Sequence, residues 1–154
     1  MKLDDGQKVD VLLAALAERY EALRTIRERV QNIGIWALGL LIAAGGWLIQ
    51  REEDLTQPER WMAVLGLIGA VVALRWVYLA DLQKGFAAQQ RTAAKVEVAL
   101  GLYDAGVFDR SDAPIYPPNW ANAGAKRGSG RFFASTYALL YVGALFLGVV
   151  IFFG

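Results

Sequence analysis

The side chains that most often carry chemistry are scarce in this chain of 154 residues. It has no Cys and no His, which removes thiol nucleophiles, disulfides, Cys/His zinc sites, haem-ligating imidazoles and imidazole acid–base catalysis together. Asp104, Asp109 and Asp112 cluster on one irregular stretch, but a divalent cation there would need more oxygen ligands and a rigid frame. Ser111 beside Asp112 has no His or Lys base near it in sequence, so it is not expected to be a nucleophile. Neither a P-loop nor a dinucleotide fingerprint occurs. The apolar blocks hold a single charge, Arg75, and no carboxylate that would relay protons. These exclusions predict a non-enzymatic protein with no cofactor, no bound metal and no catalytic residue.

The elements that surround this sparse chemistry are strongly apolar. Hydrophobic residues make up 56% of the chain, charged ones 20%, and the net charge is only +1, so no global excess of base argues for nucleic acid. The apolar content gathers into three blocks at 33–49, 61–80 and 132–154. The first has 17 uncharged residues, with Gln31, Asn32 and Gln50 at its edges. The second continues past Arg75, whose stem can snorkel to the headgroups. The third, FFASTYALLYVGALFLGVVIFFG, has no polar face at a helical period, which argues against a helix of a soluble bundle. Lack of strict alternation argues against barrel strands, and the charge-rich residues before the first block argue against a cleavable leader.

Orientation follows from Lys and Arg. Residues 1–32 hold six, the 51–60 loop two, and residues 81–131 seven. The expected topology has the N-terminus and residues 81–131 in the cytoplasm, the 51–60 loop and the C-terminus outside. Arg75, Lys126, Arg127 and Arg131 then lie at the inner membrane interface, where the last three can meet lipid phosphates or serve only as a positive anchor. Trp36, Trp76 and Tyr78 mark the inner boundary, Trp47 and Trp61 the outer one.

Two amphipathic stripes flank the first hairpin of spans. Val9, Leu12, Leu16, Leu23, Ile26, Val30 and Ile33 recur at spacings of 3, 4, 7, 3, 4 and 3, broadened by Leu13 and Tyr20. Leu79, Leu82, Phe86, Ala93, Val96, Leu100 and Tyr103 repeat the same spacings. Asp4 or Asp5 is positioned to cap the first helix, and Gly106 to close the second. Packed together, the stripes would form a coiled-coil-like stalk; the alternative lays the first helix flat on the inner leaflet. Between the spans, Thr56, Pro58 and Glu59 have the spacing of a capped helix start. Gly39 with Ala43, Gly66 with Ala70, Gly69 with Ala73 and Ala144 with Gly148 offer small-residue faces for close helix contact.

From 104 to 130 the periodicity breaks. Pro114, Pro117 and Pro118 impose a stiff elbow, and AGAKRGSG reads as a flexible connector. The elbow either returns the chain to the membrane or packs through Phe108, Ile115, Tyr116 and Trp120, covering the end of the helical hairpin or meeting a partner.

The expected fold is therefore an all-α integral membrane protein. Three transmembrane helices (33–50, 61–80 and 132–154) combine with a cytoplasmic antiparallel helical hairpin extending the first two spans, formed by 1–32 and 81–105, and a Pro/Gly-rich elbow and linker at 106–131. Over about residues 8–105, the N-terminal helix, membrane hairpin and helical return resemble the small SLATT-type membrane effector families of bacteria. The resemblance implies a bacterial inner-membrane protein that self-associates and perturbs the bilayer when a cytoplasmic partner signals. The alternative is an accessory or scaffold subunit that recruits a soluble cytoplasmic protein. Expected partners are the lipid bilayer, further copies of the chain and a cytoplasmic protein, with no nucleic acid.

Overall fold

The computed structural model describes residues 4–107, 113–125 and 131–153, with the Arg131 side chain left aside. All regular structure among them is helical. The elements are α1 (Asp5–Ile49), α2 (Gln57–Ala73), a π-helical turn (Leu74–Leu79), α3 (Ala80–Ala99), a 3-10 turn (Pro118–Asn122) and α4 (Arg131–Phe153). The chain divides into two compact units. One comprises Met1–Ile26 and Lys84–Ser129, the other Arg27–Gln83 and Gly130–Gly154.

In the first unit α1 opens on Asp4, whose Oδ1 accepts the Gln7 N–H at 2.7 Å while its own N–H donates to Gln7 Oε1 at 3.2 Å. Two of the orphan donors of a helix start are thereby satisfied, and Gly6 does not delay the helix. The first part of α1 meets α3 through Arg19 Nη1, which donates to Gln89 Oε1 at 2.9 Å, and through the Tyr20 hydroxyl, which donates to Glu97 Oε1 at 2.7 Å. Leu16, Phe86, Ala93 and Ala94 are buried here, with Leu12, Leu23, Ile26, Val96 and Leu100 half-buried. Val9 stays outside the seam.

The second stripe closes earlier than expected. Helix α3 ends at Ala99, and Gly101, not Gly106, is the closing glycine, at φ +72°. Leu102 N–H donates to Glu97 O at 3.1 Å and Gly101 N–H to Val98 O at 3.0 Å, the paired bonds of a Schellman cap. The elbow then folds back: Tyr116 N–H donates to Leu102 O at 3.0 Å. Gly124, at φ +76°, brings the backbone so close to α3 that an added Cβ would lie 2.6 Å from Ala87 O.

In the second unit α4 packs against the later part of α1 and against α2. Phe133, Thr136, Leu140, Gly143, Leu147, Val150 and Ile151 are its buried positions, the first six spaced 3, 4, 3, 4 and 3. Gly34 lies under Thr136, Gly45 under the Phe146 ring, and Gly143 under Leu38 and Leu41. These glycines make the close approaches. Gly39, Gly66, Gly69 and Gly148, assigned that role by the sequence pattern, have open space where a Cβ would stand. At the other end of the unit, Glu59 Oε2 accepts both the N–H and the hydroxyl of Thr56 at 2.8 Å, and Pro58 occupies the first turn of α2. Arg60 donates to Phe152 O at 2.8 Å, supplying a cation to the last carbonyls of α4. Trp61 and Phe152 meet edge to face, 5.7 Å between centroids.

Three helical runs are long and apolar enough to cross a membrane: Asp5–Ile49, Gln57–Ala99 and Phe132–Phe153. Their apolar side chains are mostly outward; Trp36 is 74% exposed and Leu145 70%. The π-helical turn lies within the second run. Its i→i+5 bonding inserts one extra residue into the ladder and turns the following face by about 100°. Leu79 is fully buried while Trp76, Val77 and Tyr78 remain outward.

Candidate functional site

One place in the first unit gathers polar groups around a buried charge. Glu97, near the end of α3, is only 8% exposed. Its Oε1 accepts the Tyr20 hydroxyl from α1, and its Oε2 accepts the Tyr103 hydroxyl from just beyond the Schellman cap. The elbow supplies the remaining wall. Tyr116 stacks edge-on to Tyr103 at 5.9 Å and meets Trp120 at the same centroid separation. Together with Leu23, Gln90, Ala93, Ala94 and Ala123, these groups enclose a cavity of about 350 Å³.

Each part has a local cause. The Schellman cap turns the chain at Gly101, so Tyr103 comes back over the last turn of α3. The Tyr116–Leu102 backbone bond and the close approach at Gly124 fix both ends of the elbow against α3. The 3-10 turn started by Pro118 presents Trp120.

The electrostatics are one-sided. Among the described residues no Lys or Arg forms an ion pair with Glu97, and the Gln90 Oε1 on the same wall is buried without a hydrogen-bond partner. Burial pushes the Tyr20 phenol well above its ordinary value of 10.0, and the hydrogen bond to Glu97 adds to the shift. Tyr103 is raised for the same reasons, burial first and then Glu97. Both phenols therefore remain donors to the carboxylate through the physiological range.

The residues singled out by sequence are distributed unevenly. Leu23, Tyr103, Tyr116 and Trp120 meet at this cavity, whereas Leu12, Leu16, Ile26, Leu82, Phe86, Val96 and Leu100 are packing residues along their helices. Trp120 keeps 54% of its surface outward. Arg75 lies with its guanidinium 3.7 Å from the centroid of the Tyr137 ring. Phe108, Asp109, Ser111, Asp112, Lys126 and Arg127 lie outside the described residues, as does the side chain of Arg131. No group of three or more carboxylates placed to hold a metal occurs among the described residues. Glu97 and Gln90 were not anticipated. Their signal was the set of phenols at Tyr20, Tyr103 and Tyr116, each of which needs a polar partner when its ring packs inward.

Comparison with protein-family models, with curated proteins and with solved structures returned no match.

Proposed function

We propose that this chain is a non-enzymatic integral membrane protein of three spans whose cytoplasmic segments, 1–32 and 81–131, receive a signal that alters self-association of the spans. The observation that carries the membrane reading is the outward apolar surface of the three long helical runs. In water, contiguous faces of Trp, Ile, Leu and Phe would drive aggregation; in a bilayer they are solvated by lipid tails. The six, two and seven basic residues of the successive polar segments support an inside N-terminus and an outside C-terminus, and the resemblance to SLATT-type families suggests a bacterial inner membrane.

Self-association is supported by the small-residue faces left uncovered at Gly39, Gly66 and Gly69, where other helices can approach closely. The architectural resemblance to SLATT-type effectors is consistent with an assembled, bilayer-perturbing state. Mass measurement in mild detergent and in lipid nanodiscs tests this: the expected result is a multimer in both. A monomer in both, with no concentration-dependent cross-links in native membranes, contradicts it.

The scaffold reading has one observation in its favour. Ile115 and Trp120 on the elbow each keep more than half of their surface outward. A stable one-to-one complex with a soluble protein, lost on Trp120→Ala, would put that reading first.

A further inference from the structure

The cavity beside Glu97 has the chemistry of a cation site, with a buried carboxylate that no basic side chain among the described residues neutralises. A carboxylate taken out of water is costly unless a positive charge or several donors compensate it. Glu97 receives two phenol donors, yet among the described residues no basic side chain pairs with it. Gln90 Oε1, on the same wall, is a second acceptor with nothing to accept from. The rings of Tyr103, Tyr116 and Trp120 line the same cavity, and aromatic faces attract cations through their quadrupoles. An anion would meet a carboxylate with no base paired to it among the described residues. A divalent metal would find one carboxylate where it needs several oxygen ligands. The volume, about 350 Å³, is at the lower end of the range for small-molecule sites.

We propose that this cavity binds a small organic cation bearing N–H donors, an alkylammonium or guanidinium group whose nitrogen is held by Glu97 and Gln90 and whose carbon body lies against Tyr103, Tyr116 and Trp120. Two acceptors on one wall call for a donor-bearing nitrogen rather than a quaternary one. The aromatic wall calls for an alkyl body rather than a bare ammonium ion. The inference rests on the reading of this unit as the receiver of a cytoplasmic signal, and assigns that signal a chemical class.

The test uses the full chain in nanodiscs, titrated with n-butylammonium chloride and followed by calorimetry and Trp fluorescence. Saturable binding is expected, weakened at least tenfold by Glu97→Gln and measurably by Gln90→Leu. Tetramethylammonium and n-butanol should each bind at least tenfold more weakly than n-butylammonium, because one lacks N–H donors and the other lacks charge. Helical circular dichroism of each variant separates lost binding from lost fold, and Trp120→Leu supplies a variant in the aromatic lining should Glu97→Gln unfold. No saturable binding to the folded wild-type chain overturns the proposal, as does equal affinity in folded Glu97→Gln. The signalling reading is read separately, from cross-linking with and without n-butylammonium. Binding that leaves cross-linking unchanged upholds the site and defeats its role as receiver.

Discussion

At the scale of single residues, the cavity depends on a backbone contact and on three phenols rather than on any long apolar side chain. Gly124→Ala is expected to release the elbow from α3. The left-handed backbone alone costs about 1–2 kcal/mol, and the new Cβ would meet Ala87 O at 2.6 Å. A lowered thermal midpoint together with altered Trp120 fluorescence checks this; an unchanged pair of signals would mean that the elbow is not held there. The phenols set an alkaline limit. Tyr20 and Tyr103 are raised above their ordinary 10.0, so their contribution to stability is complete below that value. It is lost as pH rises through their folded-state values, since the unfolded chain releases those protons first. Tyrosinate absorbance at 295 nm should therefore show a late fraction that disappears in the Tyr20→Phe, Tyr103→Phe double variant. Titration of the wild type in one step near 10.0 would contradict the buried arrangement. Tyr103, Tyr116 and Trp120 were legible in the sequence as packing or partner residues. Glu97 was not, because Val96 and Leu100 completed the apolar stripe without it. Only the fold-back at Gly101 brings Tyr103 to it.

Among the elements, the helical runs were legible where apolar periodicity or length determines them, and the packing faces of the spans were not. In α4 nearly every position is apolar, so hydropathy cannot distinguish the side that packs from the side that faces outward. Thr136 and Gly143 mark the packed side, because a back-bonded hydroxyl and a missing side chain permit close approach. In α2, Gly66 and Gly69 face open space within one chain. The π-helical turn has no composition signal of its own, and Arg75 within it rests on Tyr137. A contrast between glycines follows. Gly45→Leu is expected to overpack the α1–α4 contact, where an added Cβ would lie 2.6 Å from the Phe146 ring, at a cost of about 1–3 kcal/mol. Gly66→Leu should leave the fold of one chain unaffected. Unfolding in bicelles by steric trapping separates the two, and equal destabilisation would refute the assigned packing. Should Gly66→Leu instead abolish cross-linking between copies without unfolding the chain, that face is the one used in self-association.

For the whole molecule, the division of labour was legible from charge and hydropathy: three apolar runs, and polar segments whose basic residues number six, two and seven. The bipartite character was only partly legible. The two amphipathic stripes were read from their spacing, whereas the elbow completes the first unit by folding onto α3, a long-range event that local propensity does not encode. The central claim is that the chain crosses the bilayer three times, so that its two ends lie on opposite sides. Single cysteines introduced near the termini, at Gln7 and Phe153, and labelled with a membrane-impermeant maleimide in oriented inner-membrane vesicles test it most directly, since the natural chain has no Cys to interfere. In inside-out vesicles the account predicts labelling at Gln7→Cys and protection of Phe153→Cys until detergent is added, with the reverse pattern in right-side-out vesicles. Labelling of both positions from the same side in sealed vesicles would contradict it.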